Sequence, residues 1–75
     1  MTIYDFMEMV NDNFEMVFRL FDCNTEDLVC IDGDCEFTRS FLLYSDYAYC
    51  EICSVDMWVE DGEIHIEFNV EIEEE

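Results

Sequence analysis

Lysine is missing from all 75 residues, and two arginines are the only permanently cationic side chains against 21 aspartates and glutamates. The formal charge of −19 excludes several functions at once. An acidic surface repels DNA, RNA and anionic lipid, so neither a nucleic acid nor a membrane is expected as a direct partner. Proline is also missing. No linker or low-complexity run precedes Glu73-Glu74-Glu75, so residues 1–75 read as a single compact acidic domain. The N-terminus has neither a basic segment nor an uninterrupted apolar run, and no apolar stretch approaches the length of a membrane span. These absences predict an intracellular protein, and five cysteines, an odd number, agree with a compartment where thiols stay reduced.

What is present rules out a disordered acidic tail. Hydrophobic residues make up 52% of the chain, with seven Phe, four Tyr and one Trp, enough branched and aromatic surface to offset the entropy of ordering. The chain should fold, near the lower size limit for an unassisted core. Solubility of a small domain is served by a net charge of roughly 2 to 8. The larger charge here destabilises the compact state by self-repulsion, so a function is expected to require it. Its natural partner is a basic protein groove of the kind that nucleic-acid-binding proteins line with Lys and Arg.

Along the chain, Thr2 is a helix N-cap with Asp5 three residues on, and Ile3, Phe6, Met7 and Val10 form an amphipathic stripe over residues 3–12. From Phe14 the period switches to two, with Phe14, Met16, Phe18 and Leu20 on one side of a first strand ending at Asp22. After an acidic connection, Leu28-Val29-Cys30-Ile31 reads as a second strand forming an antiparallel hairpin with the first. Phe37, Phe41, Leu42, Leu43 and Tyr44 suit a short helix over 36–44. Tyr44, Tyr47 and Tyr49 follow, either packed against the sheet or standing out as interface anchors. Glu51 to Val59 is a third strand with Cys53, Val55, Met57 and Val59 on one face. Glu60-Asp61-Gly62 supplies the Asp-Gly of a tight turn, and Gly62 to Glu73 is the last strand. The expected fold is α+β: a four-stranded, mainly antiparallel sheet with helix on one face, in the order helix-strand-strand-helix-strand-strand.

Catalysis has little to stand on. The lone His65 lies on the polar side of the last strand between Glu63 and Glu67, and the serines lack the flanking motif that exposes a nucleophile. No enzyme activity and no cofactor are expected. Cys30 with Cys35 and Cys50 with Cys53 allow a four-thiolate zinc site to be drawn. Cys50 and Cys53 would nevertheless face opposite sides of one strand, and buried reduced thiols are the simpler expectation. The Asp22, Asn24, Glu26 series imitates the opening of a calcium loop, but Asp27 stands where that loop needs glycine.

The last strand carries the sharpest pattern. Ile64, Ile66, Phe68, Val70 and Ile72 alternate with Glu63, His65, Glu67, Asn69, Glu71 and Glu73, so one face is core and the other a row of carboxylates. Same-face neighbours are about 6.6 Å apart, close to the spacing of phosphates along a nucleic-acid strand. In size, in missing lysine and in the aromatic core under Glu63-Ile64-His65-Ile66-Glu67-Phe68, the chain resembles the small acidic anti-CRISPR and anti-restriction proteins of phages that mimic DNA. That resemblance covers the whole chain without a diagnostic motif. It implies a non-catalytic inhibitor in the cytoplasm of an infected bacterial host, occupying the DNA-binding cleft of a basic nucleic-acid-binding protein such as a Cas nuclease. The residues expected to meet the partner are Glu63, Glu67, Glu71 and Glu73, then Asp32, Asp34 and Asp61, with Tyr47 from the aromatic patch. One alternative is a metal-stabilised or structural accessory module, with an obligate homodimer as one form, whose acidity is incidental; another keeps the inhibitor but has it act away from the DNA groove, through the aromatic patch of Tyr44, Tyr47 and Tyr49.

Overall fold

A computed structural model describes residues 1–10 and 15–72. Helix α1 (Ile3–Met9) is followed by strand β1 (Met16–Asp22), helix α2 (Arg39–Tyr44), a 3-10 turn over Asp46–Tyr49, and strands β2 (Glu51–Glu60) and β3 (Glu63–Glu71). The sheet is three-stranded and mixed, in the order β1-β3-β2, with β3 parallel to β1 and antiparallel to β2. This corrects the four-stranded, mainly antiparallel arrangement and the helix-strand-strand-helix-strand-strand order expected from the sequence.

The missing strand is Leu28–Ile31. Only Phe21 and Leu28 bridge across to β1, with the Val29 amide donating to the Leu20 carbonyl at 2.8 Å. Two residues later the chain doubles back. Ile31 and Asp34 exchange two backbone hydrogen bonds of 2.9 Å, Asp32 and Gly33 take positive φ of 52° and 86°, and a Cys30–Cys35 disulfide closes the turn. A chain turned that tightly cannot extend a ladder. Phe37 then returns to pair with Phe18 by two backbone bonds of 3.1 and 2.8 Å, so a loop covers the outer edge of β1. The disulfide also departs from the expectation that every cysteine is reduced.

Elsewhere local chemistry sets the elements. Thr2 and Asp5 form a reciprocal capping box, the Asp5 amide donating to Thr2 Oγ1 at 3.2 Å and the Thr2 amide to Asp5 Oδ2 at 3.1 Å. Asp5 does what a Glu or Gln more often does there. Thr38 caps α2 by accepting from the Phe41 amide. Asp61 and Gly62 both take positive φ, 52° and 80°, the two-residue turn whose twist suits a hairpin.

Helices cover one face of the sheet. Ile3 and Met7 of α1, Leu42 of α2, Phe18 and Leu20 of β1, and Ile66, Phe68 and Val70 of β3 form the core together with Phe37. Phe68 is its centre, stacked on Phe18 at 5.8 Å and edge-on to Phe6 at 5.1 Å. The helical layer stops short of the hairpin end. Met57 and Val59, on the core side of β2, are 62% and 71% exposed, and the molecule is elongated at 38 × 23 × 22 Å. Among the described residues, the outer edge of β2 is covered only at its start, where Thr2 bridges Glu51 and the Ile52 amide donates to the Met1 carbonyl. No helix among the described residues is long and apolar enough to cross a membrane.

Candidate functional site

The face of the sheet opposite the helices is striped, with Glu63 and Glu67 of β3 half-buried and Asp56, Glu60, Glu51 and Glu71 exposed. Register places Glu60 opposite Glu63, Asp56 opposite Glu67 and Glu51 opposite Glu71 across the antiparallel β2–β3 pair. Directly opposed residues share a face, with Cβ atoms about 4.5–5.5 Å apart, and like charges there are destabilising. Each carboxylate of β3 therefore has a second one beside it. Along the strand these pairs recur every four residues, about 13 Å. Between them lie neutral rows: Val17, His65 and Trp58, then Phe21, Asn69 and Ser54. Trp58 stacks on His65 at 5.5 Å with planes 6° apart.

A β-bulge brings the third pair into line. Ile52 pairs with Val70 and Ser54 with Asn69, leaving Cys53 as the extra residue. Without it Ile52 would face water and Glu51 the core. Ile52, Val55, Met57 and Val59 thus share the core side, and Cys53, expected among them, does not.

Only one cationic side chain serves this face among the described residues. Arg19, opposite Glu67 in β1, reaches Glu36 at 2.6 Å and Glu67 at 3.7 Å, its side chain 25% exposed. The middle row is partly neutralised; the rows at Glu60–Glu63 and Glu51–Glu71 have no arginine near. Glu51 instead accepts a 2.9 Å hydrogen bond from the Met1 ammonium, which holds that group above its usual pKa of 8.0. The second arginine, Arg39, donates to the Met7 carbonyl at the end of α1, away from the stripe.

The Glu51–Glu71 row opens into a cleft of about 710 Å³ whose walls include Phe41, Tyr44, Tyr47 and Tyr49, with Asp46 at its side. Tyr44 and Tyr49 are 94% and 73% exposed, whereas Tyr47 is half-buried against the core. Tyr49 stacks on Tyr4 at 6.2 Å. Of the two expectations, inward packing fits Tyr47 and standing outward fits Tyr44 and Tyr49.

Of the expected partner-binding residues, the structure brings Glu63, Glu67 and Glu71 onto one face and puts Tyr47 in the adjoining cleft. Asp61 sits at the hairpin tip beside the first row, while Asp32 and Asp34 lie in the disulfide-closed turn, outside the paired strands, where the neighbouring Ile31 lines the cleft with Glu51 and Glu71. Glu73 falls outside the described residues. The β2 carboxylates Glu51, Asp56 and Glu60 are not among the residues expected from the sequence, although a two-residue Asp61-Gly62 turn fixes the opposing residues by counting outward as far as Asp56. Zinc loses two of its drawn ligands to the Cys30–Cys35 bond, and no group of three or more His, Cys, Asp or Glu is arranged to hold a metal ion among the described residues. Neither the sequence, compared with protein families and curated proteins, nor the fold, compared with solved structures, finds a match.

Proposed function

We propose that the protein is a non-catalytic inhibitor that presents its paired carboxylates to the basic groove of a nucleic-acid-binding protein, in the manner of DNA phosphates. The observation that carries this is the direct opposition of Glu60 with Glu63, Asp56 with Glu67 and Glu51 with Glu71. In the isolated molecule each pair costs stability. A Lys or Arg placed between the two carboxylates turns that repulsion into attraction, so binding gains both the new ion pair and the relief of the old clash. The rigid sheet holds the rows at fixed intervals, which a disordered acidic tail cannot do. Where the last row meets the cleft, an arginine can stack on tyrosine while its charge faces Glu51 and Glu71.

The favoured partner is a host defence nuclease, a Cas effector first among them, met in the cytoplasm of an infected bacterium. Exposed rows should chiefly set association rate and salt sensitivity, whereas a carboxylate buried against arginine should cost about 2–5 kcal/mol when truncated. The test is affinity capture from nuclease-bearing bacterial lysate, comparing wild type with the Asp56→Lys, Glu71→Lys double variant whose fold is checked by circular dichroism. Wild type should retain a basic nucleic-acid enzyme that added salt and duplex DNA both release, and the double variant should lose it. Retention of the same partner by the double variant, or a partner indifferent to salt and DNA, would remove the stripe from consideration.

A further inference from the structure

We propose that Cys23 and Cys53 are a second disulfide site, where two thiols close into a bond spanning the central strand. Their sulfurs form a hydrogen-bonded contact of 2.9 Å although the residues are 30 apart in sequence. Positions on β1 and β2 are separated by β3, and strands once removed lie roughly 10 Å apart, too far for regular residues to bridge. Both cysteines escape that limit through an irregularity. Cys23 lies just past the end of β1, its amide donating to the Val70 carbonyl at 2.9 Å. Cys53 is the extra residue of the β2 bulge, opposite the same part of β3, and a bulge re-aims the side chain it carries.

Access favours a stepwise reaction. Cys53 is exposed and Cys23 half-buried, so a small oxidant reaches Cys53 first. With oxidised glutathione, the Cys53 thiolate attacks one glutathione sulfur, the glutathione S–S bond breaks, and one glutathione leaves as its thiolate. Cys23 then gives its proton to solvent and attacks Cys53 Sγ, expelling the second glutathione. Two protein thiols are oxidised and one glutathione disulfide is reduced to two thiols. The Cys23 thiol is pushed up to about 11 by its hydrogen bond with Cys53, by desolvation and by the charges of Cys53, Glu71 and Asp22. The first of these causes disappears once Cys53 carries glutathione, which helps the closing step. The bond would tie both edges of the sheet together beside Glu71.

The scarcity of cations makes the test simple. Trypsin has only Arg19 and Arg39 to cut after, giving peptides 1–19, 20–39 and 40–75. The Cys30–Cys35 bond stays within 20–39, whereas Cys23–Cys53 joins 20–39 to 40–75. The full chain would be incubated with oxidised glutathione at mildly alkaline pH, blocked with N-ethylmaleimide, denatured without reductant, digested and weighed. A joined species whose fragmentation places the link at Cys23 and Cys53, absent from the Cys53→Ser variant, is expected. The Tm of the oxidised wild type should rise by several degrees, with no such rise in the variant. Separate peptides carrying glutathione or N-ethylmaleimide on Cys23 and Cys53, or a link to another cysteine, would overturn the proposal.

Discussion

Single side chains at the N-terminus show how a local motif becomes a pH dependence. The Met1 ammonium is raised above 8.0 by its hydrogen bond to Glu51 and by that carboxylate's charge. A raised folded-state value means that the pair's contribution to stability is fully present below pH 8.0 and is lost as pH climbs through the folded value. Asp5 runs the other way. Its carboxylate is lowered from 3.8 by hydrogen bonds from Thr2, so the capping box contributes above that pH and fails as acid titrates Asp5 through its depressed value. The difference in urea midpoint between wild type and Glu51→Gln should therefore move in the variant's favour as pH rises from neutral to alkaline, whatever relief of the Glu51–Glu71 repulsion adds at every pH; a difference that stays constant would show that the ammonium is not the partner that matters. The capping box could be foreseen because Thr2 and Asp5 are three residues apart and act without the rest of the chain. The Met1–Glu51 pair could not, since it joins residues 50 apart.

At the scale of elements, the β2–β3 ribbon was the most legible part of the fold. Alternating apolar residues fixed its faces, and the Asp61-Gly62 turn, with both residues at positive φ, fixed its register. Neither needs information from a distance. The bulge at Cys53 was hidden because nothing in Glu51-Ile52-Cys53-Ser54 marks an extra residue until Val70 and Asn69 are placed opposite. The parallel pairing of β1 with β3 was hidden for a related reason: it depends on a long crossover, and Leu28–Ile31 looked like a nearer partner until the disulfide turn removed it. The opposed carboxylates make their own prediction about stability. Asp56→Asn and Glu60→Gln should each stabilise the isolated protein by about 0.2–1 kcal/mol while weakening capture of a basic partner. Chemical denaturation reads the first effect. If both substitutions destabilise, the opposed pairs are not repelling one another.

For the whole molecule, repulsion among charges summing to −19 acts over distances set by salt. The screening length is about 30 Å at 0.01 M and about 3 Å at 1 M, against a long axis of 38 Å. Sodium chloride should therefore raise Tm across that range, most steeply at its low end, as a thermal melt followed by circular dichroism would show. A Tm indifferent to salt would mean that the arginine at Glu67 and the ammonium at Glu51 already balance the charge that matters.

The same charge guards the strand edge that the described residues leave open along most of β2. That edge carries Met57, Trp58 and Val59, all exposed, and offers a second copy a ready template for edge-to-edge pairing. Two copies joined antiparallel about Asp56 would set aspartate against aspartate and bring Glu51 and Glu60 close to acidic residues of the neighbour. Near the isoelectric pH of about 4.1 that protection is withdrawn while the apolar edge remains, so acid should let a second copy pair along this edge; with the outer edge of β1 already covered by a loop, such pairing closes as a dimer.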